Sequence, residues 1–123
     1  MIQPVPCHVK LVITTGDPAG VGPEVSLAAA RDFLSEQPNV QITLLGDVSL
    51  FKNSAETNLN VTHQPKIESI PLASTAISGV LNPANAQYVL NLLDRASVAC
   101  IQGEFDAMVT APVQKSLINS AGI

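Results

Sequence analysis

Aromatic residues and charges are scarce in this sequence. It contains no Trp, one Tyr and three Phe, and only 13% of its residues are charged, against about 25% in typical soluble domains. So few aromatics disfavour a base-stacking platform. The six Lys and Arg, in a chain of net charge −4, form no basic surface for nucleic acid or an anionic membrane. With 46% hydrophobic residues, the low charge is consistent with a surface partly covered by more protein.

Cysteines and long apolar runs are also few. Cys7 and Cys100 match no metal-binding motif and make no disulfide framework, so reduced thiols and a cytoplasmic location are expected. No run approaches the roughly 18 apolar residues of a membrane-spanning helix, and residues 1–8 lack the apolar core of a signal peptide. The 123 residues suit one domain of ordinary size.

Residues 11–24 (LVITTGDPAGVGPE) carry the strongest local signal. The apolar run at 11–13 predicts a strand buried on both faces, and Pro23 suits the first position of a helix. The sharp loop between them is predicted by four punctuating residues: Gly16, Pro18, Gly20 and Gly22. A strand, a glycine-rich loop and a helix in this order direct backbone N–H groups at the space above the strand, where an anion binds favourably.

The glycines alone do not decide between a binding loop and a tight connection without a ligand. No Gly-Lys-Ser/Thr follows them, and Val25 stands where a dinucleotide-binding fingerprint has its third glycine. Asp17 adds chemistry, because a carboxylate in such a loop would hydrogen-bond a hydroxyl or face a neighbouring cation. It would serve equally as a turn residue that accepts backbone N–H groups.

The order of elements predicts an α/β fold with a mainly parallel sheet and flanking helices. Central strands are expected at 10–14, 40–45 and 105–109, and helices at 23–36 and from Asn82 to Gly103. A short helix at 49–57, a strand at 59–62 and extended edge segments over 64–81 are expected between them. The first helix should pack on the sheet through two neighbouring rows: Val25, Ala29 and Phe33, and Leu27, Ala30 and Leu34.

A second punctuated stretch runs from Thr110 to Lys115 (TAPVQK). Pro112 predicts a helix start, so Lys115 falls in the first turn, where a cation opposes the helix dipole by about 0.3–1 kcal/mol. An anion bound at the helix start would explain that placement, and so would a solvated surface lysine. Loops that follow parallel strands gather at the carboxyl edge of the sheet. We therefore expect Asp17 and Lys115 to face a common cleft.

These two stretches carry a family resemblance. Residues 14–24 (TTGDPAGVGPE) closely resemble the N-terminal signature of the 4-hydroxythreonine-4-phosphate dehydrogenase family. Residues 110–115 with 121–123 resemble a second signature of that family at the expected distance, and 79–88 and 103–106 are similar to it as well. The resemblance spans essentially the whole chain. Two long signatures in order are far more specific than the glycines alone.

The resemblance implies NAD-dependent oxidation of the 3-hydroxyl of 4-phosphooxy-L-threonine, then decarboxylation, on the route to pyridoxal phosphate. It also implies a divalent metal ion (Zn, Mg or Co), a homodimer, and the two-domain α/β fold of isocitrate and isopropylmalate dehydrogenases, with the active site in the cleft. No catalytic residue or metal ligand is assigned within this chain. The residues expected to line the cleft are Gly16, Asp17, Gly20, Gly22, Thr110 and Lys115.

Family chains are well over twice this length, so residues 1–123 are expected to be an N-terminal segment of the enzyme. The family's three metal-binding histidines, one from the neighbouring subunit, and its substrate-binding His and Thr would lie beyond Ile123. His8 and His63 match none of these positions and are expected to be surface or turn residues. The segment alone should therefore be inactive and bind no cofactor tightly.

Three other interpretations stay open. A close relative could oxidise another four-carbon phosphorylated hydroxy acid, such as a threonate or erythronate phosphate. A second alternative is a phosphotransacetylase, which would be an acyltransferase. These enzymes share a related fold but lack the Gly-Asp-Pro signature. A non-catalytic truncated fragment is the third possibility.

Overall fold

The computed structural model describes residues 9–51, 64–72, 76–77, 79–80 and 82–112, and the structural statements below concern those residues. A 3-10 turn at Pro83–Asn85 leads into the second helix, and another covers 48–51. The helices and strands are β1 (Lys10–Thr14), α1 (Gly22–Glu36), β2 (Gln41–Gly46), β3 (Lys66–Ser69), α2 (Ala86–Ile101) and β4 (Ala107–Thr110).

The four strands form one parallel sheet in the order β3-β2-β1-β4. On β1, Leu11 is in register with Ile42 of β2 on one side and with Ala107 of β4 on the other. The prediction of an α/β fold with a mainly parallel sheet is confirmed, and so are the bounds and central position of β1. The edge-strand segment expected within 64–81 is present as β3.

The two helices cover opposite faces of the sheet. Ile42 and Leu44 of β2 pack with Leu27 and Leu34 of α1 in one buried cluster. Val12 and Leu45 belong to the other cluster, together with the buried side chains of α2, which are Ala86, Tyr88, Val89, Leu92, Ala96 and Ala99. Because successive side chains of a strand point to opposite faces, burial on both faces explains the consecutive apolar residues at 11–13 in β1 and at 44–45 in β2.

The prediction that 105–109 form a central buried strand is wrong for the described sheet. β4 begins at Ala107 and lies at the edge, where Val109 is 50% exposed. Among the described residues no strand pairs with its outer side. Phe105 is buried, but it packs against the α2 core before the strand begins.

The predicted face of α1 is half wrong. Val25 is 55% exposed and Phe33 is 43% exposed, so their row does not pack on the sheet. The buried positions of α1 are Gly22, Pro23, Ser26, Leu27, Ala30 and Leu34. The start of α1 fixes this rotation, because Gly22 is held against the backbone of Thr15.

The start of α2 also differs from the prediction, because a 3-10 turn precedes the α-helix. Asn82 is a cap, as expected, but of the 3-10 turn: its Oδ1 accepts the N–H of Ala84 at 3.0 Å. The α-helix proper starts at Ala86. The strand predicted at 59–62 and most of the helix predicted at 49–57 lie outside the described residues.

Candidate ligand-binding loop

The loop after β1 is anchored to the neighbouring strand by Thr15. The Thr15 backbone N–H donates to the carbonyl oxygen of Leu45 at 3.2 Å, and its hydroxyl donates to the same oxygen at 2.8 Å. Gly46 makes room for this hydroxyl, since a Cβ at Gly46 would lie 2.6 Å from Thr15 Oγ1. The first turn of the loop is therefore fixed to the end of β2.

Two glycines allow the loop to meet the segment that follows β4. Gly16 has a φ of +74°, and a Cβ there would lie 2.5 Å from the carbonyl oxygen of Pro112. A Cβ on Gly22 would clash with the Thr15 carbonyl and lie 3.3 Å from Ala111 Cβ. The expected proximity of the two signature stretches is thus confirmed as far as Pro112. Lys115 lies outside the described residues.

Asp17 is buried, with 5% of its surface exposed. Its Oδ1 accepts the N–H of Ala19 at 2.9 Å, the geometry of a turn closed by an aspartate. Its Oδ2 is also buried and has no hydrogen-bond partner among the described residues. An unsatisfied buried polar group costs about 1–3 kcal/mol. The turn role therefore accounts for only one of the two carboxylate oxygens.

A cavity of about 390 Å³ opens between this loop and the start of α1. Its lining consists of Asp17, Ala19, Gly20, Val21, Gly22, Gly79 and Pro112. No side chain among the described residues caps the first turn of α1, so the positive end of the helix dipole is available there. A ligand with both a hydroxyl donor and an anionic group suits this combination of a carboxylate oxygen and a helix N-terminus.

Two of the residues expected to line the cleft, Gly16 and Thr110, do not line this cavity. Gly16 shapes the contact with Pro112 and is not part of the cavity lining. Thr110 is exposed and pairs with Thr14 in the β1–β4 ladder. Ala111 follows Thr110, and its N–H donates to the Thr14 carbonyl at 2.9 Å. This bond leads the chain from β4 to the contact with Gly16 and Gly22.

Gly79 also lines the cavity, although the sequence pattern does not single it out as a site residue. Its N–H donates to the carbonyl oxygen of Ala19 at 2.9 Å, which holds a distant part of the chain over the loop. Its φ of +78° favours glycine. A glycine between the short apolar pieces around Ile77 and Val80 signals a turn, but nothing local to the sequence indicates which loop it meets.

Tyr88 and Asp47 are hydrogen-bonded to each other next to Thr15, the residue that anchors the loop. The Asp47 N–H donates to the Tyr88 hydroxyl at 2.9 Å, and Tyr88 is 1% exposed. Burial raises the pKa of Tyr88, while hydrogen bonds with the Asp47 backbone and Thr15 oppose that shift. The Asp47 carboxylate accepts the N–H groups of Ser49 at 2.9 Å and Leu72 at 2.8 Å. Asp47 therefore joins the segments after β2 and β3.

The family model of the pyridoxal phosphate biosynthetic protein PdxA matches residues 22–123. The chain belongs to this family. The 4-hydroxythreonine-4-phosphate dehydrogenase of Burkholderia vietnamiensis is 42% identical over 93% of this chain and 36% of its own length. That of Vibrio cholerae is 38% identical over 93% of this chain and 38% of its own length. The chain thus spans somewhat more than a third of these relatives.

Solved structures agree with the fold. A 4-hydroxythreonine-4-phosphate dehydrogenase from Klebsiella pneumoniae superposes with a TM-score of 0.75, at 21% identity over 93% of this chain and 40% of its own. One from Burkholderia phymatum gives 0.75 at 22% identity, over 94% of this chain and 39% of its own. At these identities the structures show that the PdxA chain shares their fold.

The part of this PdxA chain that the structure describes does not fit a metal site. It contains no group of three or more His, Cys, Asp and Glu side chains placed to hold an ion. Over the same residues, no helix is both long and apolar enough to cross a membrane.

Proposed function

We propose that this chain forms one wall of the active-site cleft of a 4-hydroxythreonine-4-phosphate dehydrogenase. The reaction is the NAD-dependent oxidation of 4-phosphooxy-L-threonine, followed by decarboxylation. Membership of the PdxA family supports the reaction. One observation supports the position of the site. Asp17 Oδ2 is buried and has no hydrogen-bond partner in the described part of the chain, and Asp17 lines the cavity at the start of α1.

In this proposal Asp17 accepts a hydrogen bond from a ligand hydroxyl through Oδ2. The N-terminus of α1 stabilises a negatively charged ligand group, and Lys115 adds positive charge if its predicted helix begins at Pro112. NAD and the phosphorylated substrate both carry hydroxyls and phosphates, so the site chemistry admits either. When bound, NAD would supply the hydride acceptor.

The remaining parts of the proposal concern the whole enzyme. Its architecture is the two-domain fold of isocitrate and isopropylmalate dehydrogenases, its assembly a homodimer and its location the cytoplasm. The described residues do not fit the divalent metal ion, so they are assigned no part in binding it. The metal ligands are the family histidines expected outside this segment.

The test is the substitution Asp17→Asn in a full-length enzyme, as long as the relatives of this chain. Asparagine keeps the size of the side chain and its Oδ1, but the group at Oδ2 becomes a donor that repels the ligand hydroxyl. We expect kcat/KM to fall at least tenfold, equivalent to about 1.4 kcal/mol. A selective rise in KM for NAD or for 4-phosphooxy-threonine would show which ligand Asp17 binds.

Asp32→Asn is the matched control, because Asp32 is an exposed aspartate on α1, the helix that follows the loop, and does not line the cavity. It should leave the kinetics unchanged. Lys115→Met should lower kcat/KM by about tenfold as well. Wild-type kinetics for Asp17→Asn would place the ligand elsewhere, and a preference for threonate or erythronate phosphate over 4-phosphooxy-threonine would reassign the substrate.

A further inference from the structure

Tyr88 connects α2 to the residue that anchors the loop after β1. Its side chain is 1% exposed, and its hydroxyl is hydrogen-bonded to Thr15, which is fully buried. A Cβ on Gly46 would lie 3.3 Å from the Tyr88 hydroxyl oxygen and 2.6 Å from Thr15 Oγ1, so this glycine leaves the space that the two hydroxyls use. A phenylalanine ring would fill the same core without a buried polar group. Packing alone therefore does not call for the hydroxyl.

The hydrogen bonds around this pair have a fixed direction. The Leu45 carbonyl can only accept, so the Thr15 hydroxyl donates its proton to it at 2.8 Å. The Asp47 N–H can only donate, and it donates to the Tyr88 oxygen at 2.9 Å. The Tyr88 proton is then left for Thr15 Oγ1. The hydrogen bonds thus run from Tyr88 through Thr15 to Leu45 of β2.

Thr15 sets the position of the loop that follows it. Its backbone N–H also donates to the Leu45 carbonyl, at 3.2 Å, and its own carbonyl lies where a Cβ on Gly22 would clash. Thr15 is therefore held by β2 on one side and by the start of α1 on the other. Asp17 follows two residues later, with Oδ1 committed to the N–H of Ala19 at 2.9 Å. A rotation of Thr15 would displace the carboxylate and the helix start together.

We propose that Tyr88 is a positioning residue for ligand binding in the cavity beside Asp17. Tyr88 does not line that cavity. It acts through Thr15, whose orientation determines where Asp17 Oδ2 lies. This inference rests on the proposed function, because it takes Asp17 as the acceptor of the ligand hydroxyl. Hydrogen bonds weaken steeply as their angle departs from linear, so a small rotation of the loop weakens the ligand contact while the fold stays intact.

The test is the substitution Tyr88→Phe in a full-length enzyme of this family, assayed with NAD and 4-phosphooxy-threonine. The ring keeps its packing, but Thr15 loses its hydrogen-bond donor. We expect the same KM that Asp17→Asn raises to rise about fivefold, while kcat changes less than about twofold. Thr15→Val should raise that KM as well. Thr15→Ser should raise it less, because serine keeps the hydroxyl.

A double substitution shows whether Tyr88 acts through the Asp17 contact. Contributions to one shared contact are not additive. Tyr88→Phe should therefore raise KM no further once Asp17→Asn is present. Val89→Ala is the control for lost stability, since Val89 adjoins Tyr88, is fully buried in the α2 cluster and carries no hydrogen-bonding group. It should lower the melting temperature by leaving a cavity and leave both KM values unchanged.

The outcomes separate this inference from the proposed function. An unchanged KM in Tyr88→Phe, an equal rise in Val89→Ala, or full additivity with Asp17→Asn would overturn the role of Tyr88 and leave the role of Asp17 intact. Wild-type kinetics for Asp17→Asn would overturn both. Circular dichroism melts of all variants verify that they are folded at the assay temperature.

Discussion

At the scale of single residues, the glycines of the loop differ in what they do. Gly22 has no room for a methyl group, because the added carbon would clash with the rigid Thr15 carbonyl, whereas Gly20 has 3.5 Å to its nearest neighbour, the Asp17 carbonyl. Gly22→Ala should lower the free energy of unfolding by about 1–3 kcal/mol, the usual cost of overpacking. Gly20→Ala should stay within about 0.5 kcal/mol. Urea denaturation measures both, and equal stabilities would contradict the close approach.

Tyr88 offers a pH-dependent test, and as the single tyrosine of the chain it gives an unambiguous signal. Burial raises its pKa above the ordinary value of 10.0. The ordinary pKa applies to the unfolded chain and the raised pKa to the folded chain. At a pH between the two, Tyr88 keeps its proton in the folded chain and has lost it in the unfolded chain. Stability should therefore fall as the pH rises above about 10. Tyrosinate absorbance should appear at higher pH in the folded chain than in urea, and Tyr88→Phe should remove this alkaline dependence.

At the scale of elements, α2 is tied to the β3 edge by Arg95. Its guanidinium contacts Glu68 of β3 at 2.9 Å and Glu104 after the helix at 2.8 Å. The hydrogen bonds that Arg95 donates to Glu104, together with its positive charge, lower the pKa of that carboxyl. This contribution to stability is present above the carboxylate's ordinary pKa and is lost as the pH falls through the lowered one.

Arg95→Met should make the melting temperature less sensitive to acid in that range. The effect should be small and should disappear in high salt, because the carboxylates are exposed. Gln87→Met on the same helix is the control, since Gln87 is exposed and contacts Asn91 rather than a carboxylate. An acid profile of Arg95→Met that matches the wild type would show that the ion pairs do not act on folding.

The elements also show how far sequence patterns reach. Periodicity and punctuation predict β1 and both helices, because those signals are local. They do not decide which row of α1 is buried, since Val25 and Leu27 are equally apolar and the choice depends on the contact of Gly22 with Thr15. They place β4 but not its edge position, which depends on pairing with distant chain. The partnership of Gly79 with Ala19 is unpredictable for the same reason.

At the scale of the whole molecule, the distribution of chemistry predicts that this chain does not catalyse the reaction by itself. Metal-assisted hydride transfer needs a site that holds the ion and leaves an open position, and no such cluster exists in the described part of the chain. The carboxylate oxygen and the helix N-terminus that are proposed to contact the ligand supply no Lewis acid that would polarise its hydroxyl. We expect no NADH from the purified chain with 4-phosphooxy-threonine, NAD and a divalent metal, while the Burkholderia vietnamiensis relative serves as the active reference. Turnover at even a hundredth of that rate, a difference of about 2.7 kcal/mol in the barrier, would show that the catalytic groups lie within this chain after all.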